Sequence, residues 1–365
     1  MENMMRSLDK FRGCLIGGAV GDALGWPIEF LDEDEIFEEY GPQGISDYVF
    51  RNGVAEITDD TQMTLFTAAG LLSATARSVR HGSAPDYASA INEAYLNWLQ
   101  TQQLLAYPHK KELRHSWLVD IDDLYVCRAP GNACLAALGK GGGGSVEDPI
   151  NSSKGSGGVM RVAPVGLFFN DKGMRAEEIC RIGAAAAALT HGHMLGWLPA
   201  AMLSQMIHEI CQNDLSVPDA AYAAISTAES MWEESKDLYY CTDLVDKALY
   251  LASQDREDLA AIHSIGKGWV GEEALAIAVY CAAKYEDNFD KAIRAAVNHK
   301  GDSDSVGAVA GNILGARLGM AGIPEKYLRN LELQQVILQM ADDLWIAYPD
   351  NDPERLIQWD SKYPD

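Results

Sequence analysis

Positive charge is scarce in this sequence. Its 365 residues carry 29 Lys and Arg against 53 Asp and Glu, a formal charge of −24. No Lys/Arg-rich run offsets the imbalance, which excludes nucleic acid and anionic membrane surfaces as expected partners. Strand signals are also few: Asp47–Phe50 and Val54–Ile57 are the two tempting pieces. The seven cysteines, at 14, 127, 134, 180, 211, 241 and 281, form no C-x-x-C pair and are odd in number. That excludes a disulfide framework and predicts reduced, mostly buried thiols in a cytoplasmic protein. Long apolar runs are missing too. The longest region, Ile182–Met206, is broken by Thr190, His191, Gly192, His193 and Pro199, so it reads as core helices and not as a membrane span. Met1–Lys10 contains no apolar signal region, and no Pro/Ser-rich linker divides the chain.

What is present is helical periodicity over a 48% hydrophobic chain. Helices are expected over Phe11–Gly25, Thr58–Ala76, Tyr87–Gln102, Asn132–Leu138, Glu177–Leu189, Leu198–Cys211, Ala220–Lys236, Leu244–Gln254, Glu272–Tyr285 and Val306–Gly319, with Phe289–Asn298 leading into the last of these. Further helical segments fill Glu325–Ala347. Leu31–Glu56 reads as loop, and the last residues as polar and loose. Two of these helices carry glycine at every fourth position: Gly13, Gly17, Gly21 and Gly25, and then Gly307, Gly311, Gly315 and Gly319. Each helical glycine costs about 1 kcal/mol relative to alanine, so a stripe of four predicts another backbone packed very close. We expect the two helices at the centre, against each other, which would bring Asp22 and Glu29 near residue 302.

Two acidic clusters carry the chemistry. Thr58-Asp59-Asp60-Thr61 opens one helix, and Gly301-Asp302-Ser303-Asp304-Ser305 opens another near the opposite end of the chain. Each alone fits an N-cap. Together, their carboxylate and hydroxyl oxygens suit hard divalent cations and suit zinc poorly. Asp302, Asp304 and Gly307 match positions 1, 3 and 6 of an EF-hand, but Val306 and Ile313 occupy positions 5 and 12, where ligands are required. A calcium loop is therefore set aside, and the two clusters are expected to share a pair of cations. If they do, the whole chain is one all-α domain with a central cleft.

Two glycine-rich stretches differ in value. Gly139–Gly144 matches G-x-G-x-x-G, but a helix precedes it and no helix follows, so it reads as a surface loop. Lys154-Gly155-Ser156-Gly157-Gly158-Val159-Met160-Arg161 can turn backbone N–H groups toward an anion, or can simply be a tight turn. It lacks both the P-loop and the nucleophile-elbow frame. His191 and His193 lie without Cys or Glu at zinc spacing.

The set Gly17–Gly25, Thr58–Thr61, Gly155–Arg161, Thr190-His191, Gly271–Leu275 and Gly301–Ser305, in this order, resembles the ADP-ribosylglycohydrolases from about Phe11 to Gly322. The resemblance implies a single helical domain, 1–365 with a core of about 11–347, and two Mg²⁺ or Mn²⁺ ions in a cleft. It implies Thr58, Asp59, Asp60, Asp302, Asp304 and Ser305 as metal ligands. It places Glu29 on a flap beside the metals, and Lys154, Gly155, Ser156, Gly157, Gly158, Met160 and His191 along the diphosphate of ADP-ribose. Trp269 falls beside the adenosine part. Lys300 stands where many relatives carry glycine. Metals can hold ribose hydroxyls and acidify a water, and Asp60 or Asp302 is the expected base, with Glu29 positioning water or substrate. The implied reaction frees ADP-ribose from an ADP-ribosylated protein, arginine first among the linkages. Serine, a nucleic-acid end and O-acetyl-ADP-ribose are the other linkages, and a non-catalytic ADP-ribose-binding protein is the reading from another class.

Overall fold

The computed structural model describes residues 8–102, 116–169, 173–349 and 352–364; Met1–Ser7, in the stretch read for a signal region, lie outside them. Among the described residues the chain forms α1 (Leu8–Gly25), α2 (Glu33–Tyr40), α3 (Asp59–His81), α4 (Tyr87–Thr101), α5 (Asn132–Leu138) and α6 (Ala163–Phe168). It continues with α7 (Ala176–Ala188), α8 (Met194–Gln212), α9 (Val217–Met231), α10 (Lys236–Ala252), α11 (Asp258–Ile265) and α12 (Gly271–Lys284). It closes with α13 (Phe289–Val297), α14 (Ser303–Leu318), α15 (Glu325–Leu328), α16 (Gln334–Ile346) and α17 (Pro353–Lys362). Among the described residues, one antiparallel pair of two-residue strands, β1 (Phe50–Arg51) and β2 (Val54–Ala55), is the sheet content. The chain is thus all-α, as the periodicity predicts.

α1 and α14 run antiparallel with their glycine stripes in register. A Cβ on Gly17 would sit 2.2 Å from the Gly311 carbonyl oxygen, and one on Gly21 would sit 1.9 Å from that of Gly307. The same holds at Gly13 against Gly315 and at Gly25 against Ser303. No side chain fits between these backbones, so the glycines that weaken each helix alone are what allow the pair to form. Asn312 reinforces the contact by donating to the Cys14 carbonyl at 2.8 Å. The pair is buried on all sides by α3, α12, α13 and α16. Its consequence for the site is direct. The C-terminal end of α1 and the N-terminal end of α14 lie side by side, with the N-terminus of α3 joined to α1 through Asp22.

Several local expectations are corrected. The stretch expected as loop contains α2, because Asp32 and Glu35 form a reciprocal capping box and Ile36 is buried. The C-terminal residues are not loose. Asp352 caps α17 with Pro353 in its first turn, and Trp359 and Tyr363 are buried, Tyr363 donating to Asp343 at 2.6 Å. Helices α6, α11 and α13 have no counterpart among the helices expected from the sequence. α8 starts at Met194, capped by His193, and continues through Pro199. The boundary between α9 and α10 falls at Trp232–Ser235, where Ser235 caps the second helix. No single helix among the described residues is long and apolar enough to cross a membrane, and all seven cysteines are free, with Cys127 exposed and the other six buried.

Candidate active site

The site begins with Asp22, buried on the last turns of α1. Four donors reach its carboxylate at 2.5 to 3.1 Å: the N–H and the hydroxyl of Thr58, and the N–H and the hydroxyl of Thr61. Asp22 thereby fixes the start of α3 and aims Asp59 and Asp60. Burial raises its pKa to about 6 despite those hydrogen bonds. The sequence left Asp22 open between a helix-end group and a site residue; the structure makes it the anchor of the first acidic cluster.

Asp59 and Asp60 at the start of α3 face Asp302 and Asp304 at the start of α14, and Glu29 closes the ring from the turn after α1. One carboxylate oxygen each from Glu29, Asp302 and Asp304 lies within 4.8 Å of the others. Burial, reinforced by Asp302 and Asp59, pushes Glu29 up to about 8. Burial pushes Asp59 up to about 8, with Asp22 and Asp302 adding to it and the Gly131 N–H opposing it. Asp60 and Asp304 are raised by burial and then by their acidic neighbours. Asp302 is also raised by burial, and hydrogen bonds from Ser156 and Ser305 counter the shift. The positive ends of two helix dipoles offset part of this repulsion. The rest is uncompensated by protein: Glu29 Oε2 and Asp60 Oδ1 are buried without a hydrogen-bond partner. A buried all-oxygen donor set with orphaned carboxylate oxygens fits hard divalent cations. Glu29, Asp302 and Asp304 bring their oxygens closest together, and Asp59, Asp60 and Ser305 line the same space, so these are the residues that could hold such cations.

These residues floor a cleft of about 480 Å³. One wall is the glycine loop, where Gly155, Ser156, Gly157 and Met160 line the space beside His191. The loop is held from behind: Ser156 N–H donates to the Trp269 carbonyl at 3.3 Å, and Gly271 N–H to that of Lys154 at 2.9 Å. Its 3-10 turn, Ser156–Gly158, leaves the N–H of Gly157 at a helical start, where no intrahelical acceptor exists. A Cβ on Gly157 would come within 3.0 Å of the His191 ring. Over the mouth, Trp269 stacks on Phe30 at 6.0 Å between centroids, and both are exposed, at 42% and 71%.

Three expected residues lie outside this lining. Thr58 is buried behind Asp60, its hydroxyl donating to Asp22. Gly158 packs under the loop, where a Cβ would strike the Gly196 carbonyl. Lys154 turns away from the cleft, because Glu272 on α12 draws its Nζ to 2.9 Å, and it lines a neighbouring depression. Lys300 pairs with Asp32 and its N–H donates to Glu33, so it secures the start of α2 and does not enter the site. The sequence reading missed Phe30 and the opposite wall, Ala129–Ala133. That wall contributes backbone, including the Gly131 N–H that donates to Asp59 at 3.0 Å. Pro130-Gly131 ahead of a short helix was its sole sequence signal.

Over 354 residues the chain is 26% identical to "ADP-ribosylarginine hydrolase Tri1" of Pseudomonas putida, covering 95% of this chain and 81% of the relative. It is 23% identical to the human "ADP-ribosylhydrolase ARH3", covering 90% of each. A solved "ADP-ribosylglycohydrolase-related protein complex" shares the fold, with a TM-score of 0.61 at 24% identity over 93% of this chain and 98% of that one. The ADP-ribosylglycohydrolase family model matches residues 3–354, and the chain belongs to that family of hydrolases acting on ADP-ribosyl linkages.

Proposed function

We propose that this cleft releases ADP-ribose from modified arginine side chains with the help of two Mg²⁺ or Mn²⁺ ions. The observation that carries the reading is the meeting of the two acidic clusters, with two buried carboxylate oxygens left without partners. Glu29, Asp59, Asp60, Asp302, Asp304 and Ser305 hold the cations. When bound, the cations supply Lewis acidity to the ribose hydroxyls and to water at neutral pH. The glycine loop and His191 hold the diphosphate by N–H donors. With the diphosphate held there, the distal ribose would reach the carboxylates on the cleft floor. A carboxylate of the cluster, Asp60 or Asp302, takes the proton of the attacking water as the glycosidic bond breaks. Glu29, on the turn that also carries Phe30, positions that water. Trp269 and Phe30 cover the ligand and exclude bulk solvent.

The arginine linkage draws on the relatives named ADP-ribosylarginine hydrolase. Its test is release of ADP-ribose from an arginine-ADP-ribosylated protein, with Mg²⁺ and with chelator. Release with Mg²⁺ alone is expected. Release from a serine-linked substrate instead would replace the linkage and keep the cleft chemistry. Binding of ADP-ribose with no release from either would make the protein a non-catalytic binder.

A further inference from the structure

We propose that buried Arg161 is a positioning residue of the cleft: through the Thr190 hydroxyl it fixes His191 as the Nε2–H tautomer, so that a neutral imidazole donates into the site. Arg161 is fully buried. The partners given to its side chain by the described residues are all neutral: Thr190 Oγ1 at 2.7 Å, the Ala186 carbonyl at 3.0 Å, Cys134 Sγ at 3.3 Å, Met63 Sδ at 3.5 Å and the Tyr95 ring at 4.3 Å. A buried cation without a carboxylate partner is expensive to keep, which asks for a role beyond packing.

The chain of donors supplies one. A guanidinium donates and never accepts, so Thr190 Oγ1 must accept from Arg161. The hydroxyl then has one proton of its own to place. His191 Nδ1 is 2.8 Å away, and Cys134 Sγ, a weak acceptor, is at 4.0 Å. The proton goes to Nδ1, and Nε2 must carry the ring hydrogen. Nε2 is the atom on the cleft side, since a Cβ on Gly155 or Gly157 would lie 3.4 or 3.2 Å from it. Burial, with Arg161 close by, holds the ring's pKa down to about 3. His191 is thus a neutral donor and not a titrating cation. The reverse tautomer would aim a lone pair at an anionic ligand and repel it.

The tautomer does not depend on what the cleft binds; only the identity of the anion as a diphosphate rests on the function proposed above. The test is a long-range ¹H–¹⁵N spectrum of the histidine-labelled full chain, with the His191 signals assigned by their loss in His191→Gln. The wild-type protein should show a pyridine-like Nδ1 and a protonated Nε2; a protonated Nδ1 overturns the proposal without any variant. Thr190→Ser should keep that signature and bind ADP-ribose as the wild type does. Thr190→Val should shift the tautomer and weaken ADP-ribose binding by about tenfold, the loss of one hydrogen bond to a charged group. An unchanged tautomer and unchanged binding in a folded Thr190→Val also overturn it. Wild-type protein that binds no ADP-ribose would sink the functional reading alone, while the spectrum still decides the tautomer.

Discussion

Asp22 and Asp60 lie close together at the same end of the fold, both buried and both acidic, and they do opposite work. Asp22 has four donors on its carboxylate and holds α3 to α1. Asp60 has a carboxylate oxygen with no partner at all. A buried carboxylate whose oxygens are hydrogen-bonded is part of the scaffold, because its donors hold it in place even where burial still raises its pKa. An unsatisfied one stores repulsion that something from outside must relieve. Residue type and burial do not separate the two; the count of donors does.

The comparison can be broken in four ways. The largest effect is expected on turnover: Asp60→Asn or Asp302→Ala should reduce ADP-ribose release to background while circular dichroism keeps the helix content. Full activity in either variant would remove the cluster from the mechanism. Next is Gly21→Val at the α1–α14 contact, where the Gly307 backbone occupies the place of any side chain. Overpacking should cost about 3 kcal/mol or more, read as a loss of soluble folded protein or a large fall in melting temperature. A variant that folds with wild-type stability would contradict the close contact.

Third, the paired substitutions Asp22→Asn and Asp60→Asn should move stability in opposite directions in chelator. The first strands donors and should cost about 2 kcal/mol; the second removes uncompensated charge and should raise the melting temperature. The same sign for both would erase the distinction. Fourth and smallest is the pH response of the chelated wild type. Glu29 and Asp59 titrate near 8 in the folded chain, above their ordinary values near 4. The folded state therefore binds more protons across this window, and stability falls as pH rises from about 4 to about 8. Saturating Mg²⁺ should flatten or reverse that slope. A chelated protein that gains stability across the same range would show that the cluster is not under strain.

The sequence disclosed what depends on side-chain chemistry at fixed spacing. Both acidic clusters and the glycine stripes were legible because hydroxyls, carboxylates and four-residue glycine periods leave marks in the residue string, whereas His191 was marked by the family resemblance alone. Features set by distant neighbours were not. The direction of Lys154 is decided by Glu272, far along the chain. Ala129–Ala133 walls the cleft with backbone, which any residue supplies. Phe30 sits in an acidic stretch, and its place over the mouth follows from Trp269. α17 was hidden by its polar composition, although Trp359 and Tyr363 anchor it.

The contact between α1 and α14 also bears on how the protein comes into being. Its two members are separated by most of the chain, so their union is among the longest-range events in folding, and events of that kind are slow. Glu29 emerges early from the ribosome and Asp302 late. Asp302 and Asp304 therefore stay apart from Glu29, Asp59 and Asp60 until synthesis has passed α14. The two sides of the candidate site can meet only once α14 is available to pack on α1, because the contact between their glycine stripes sets both in place.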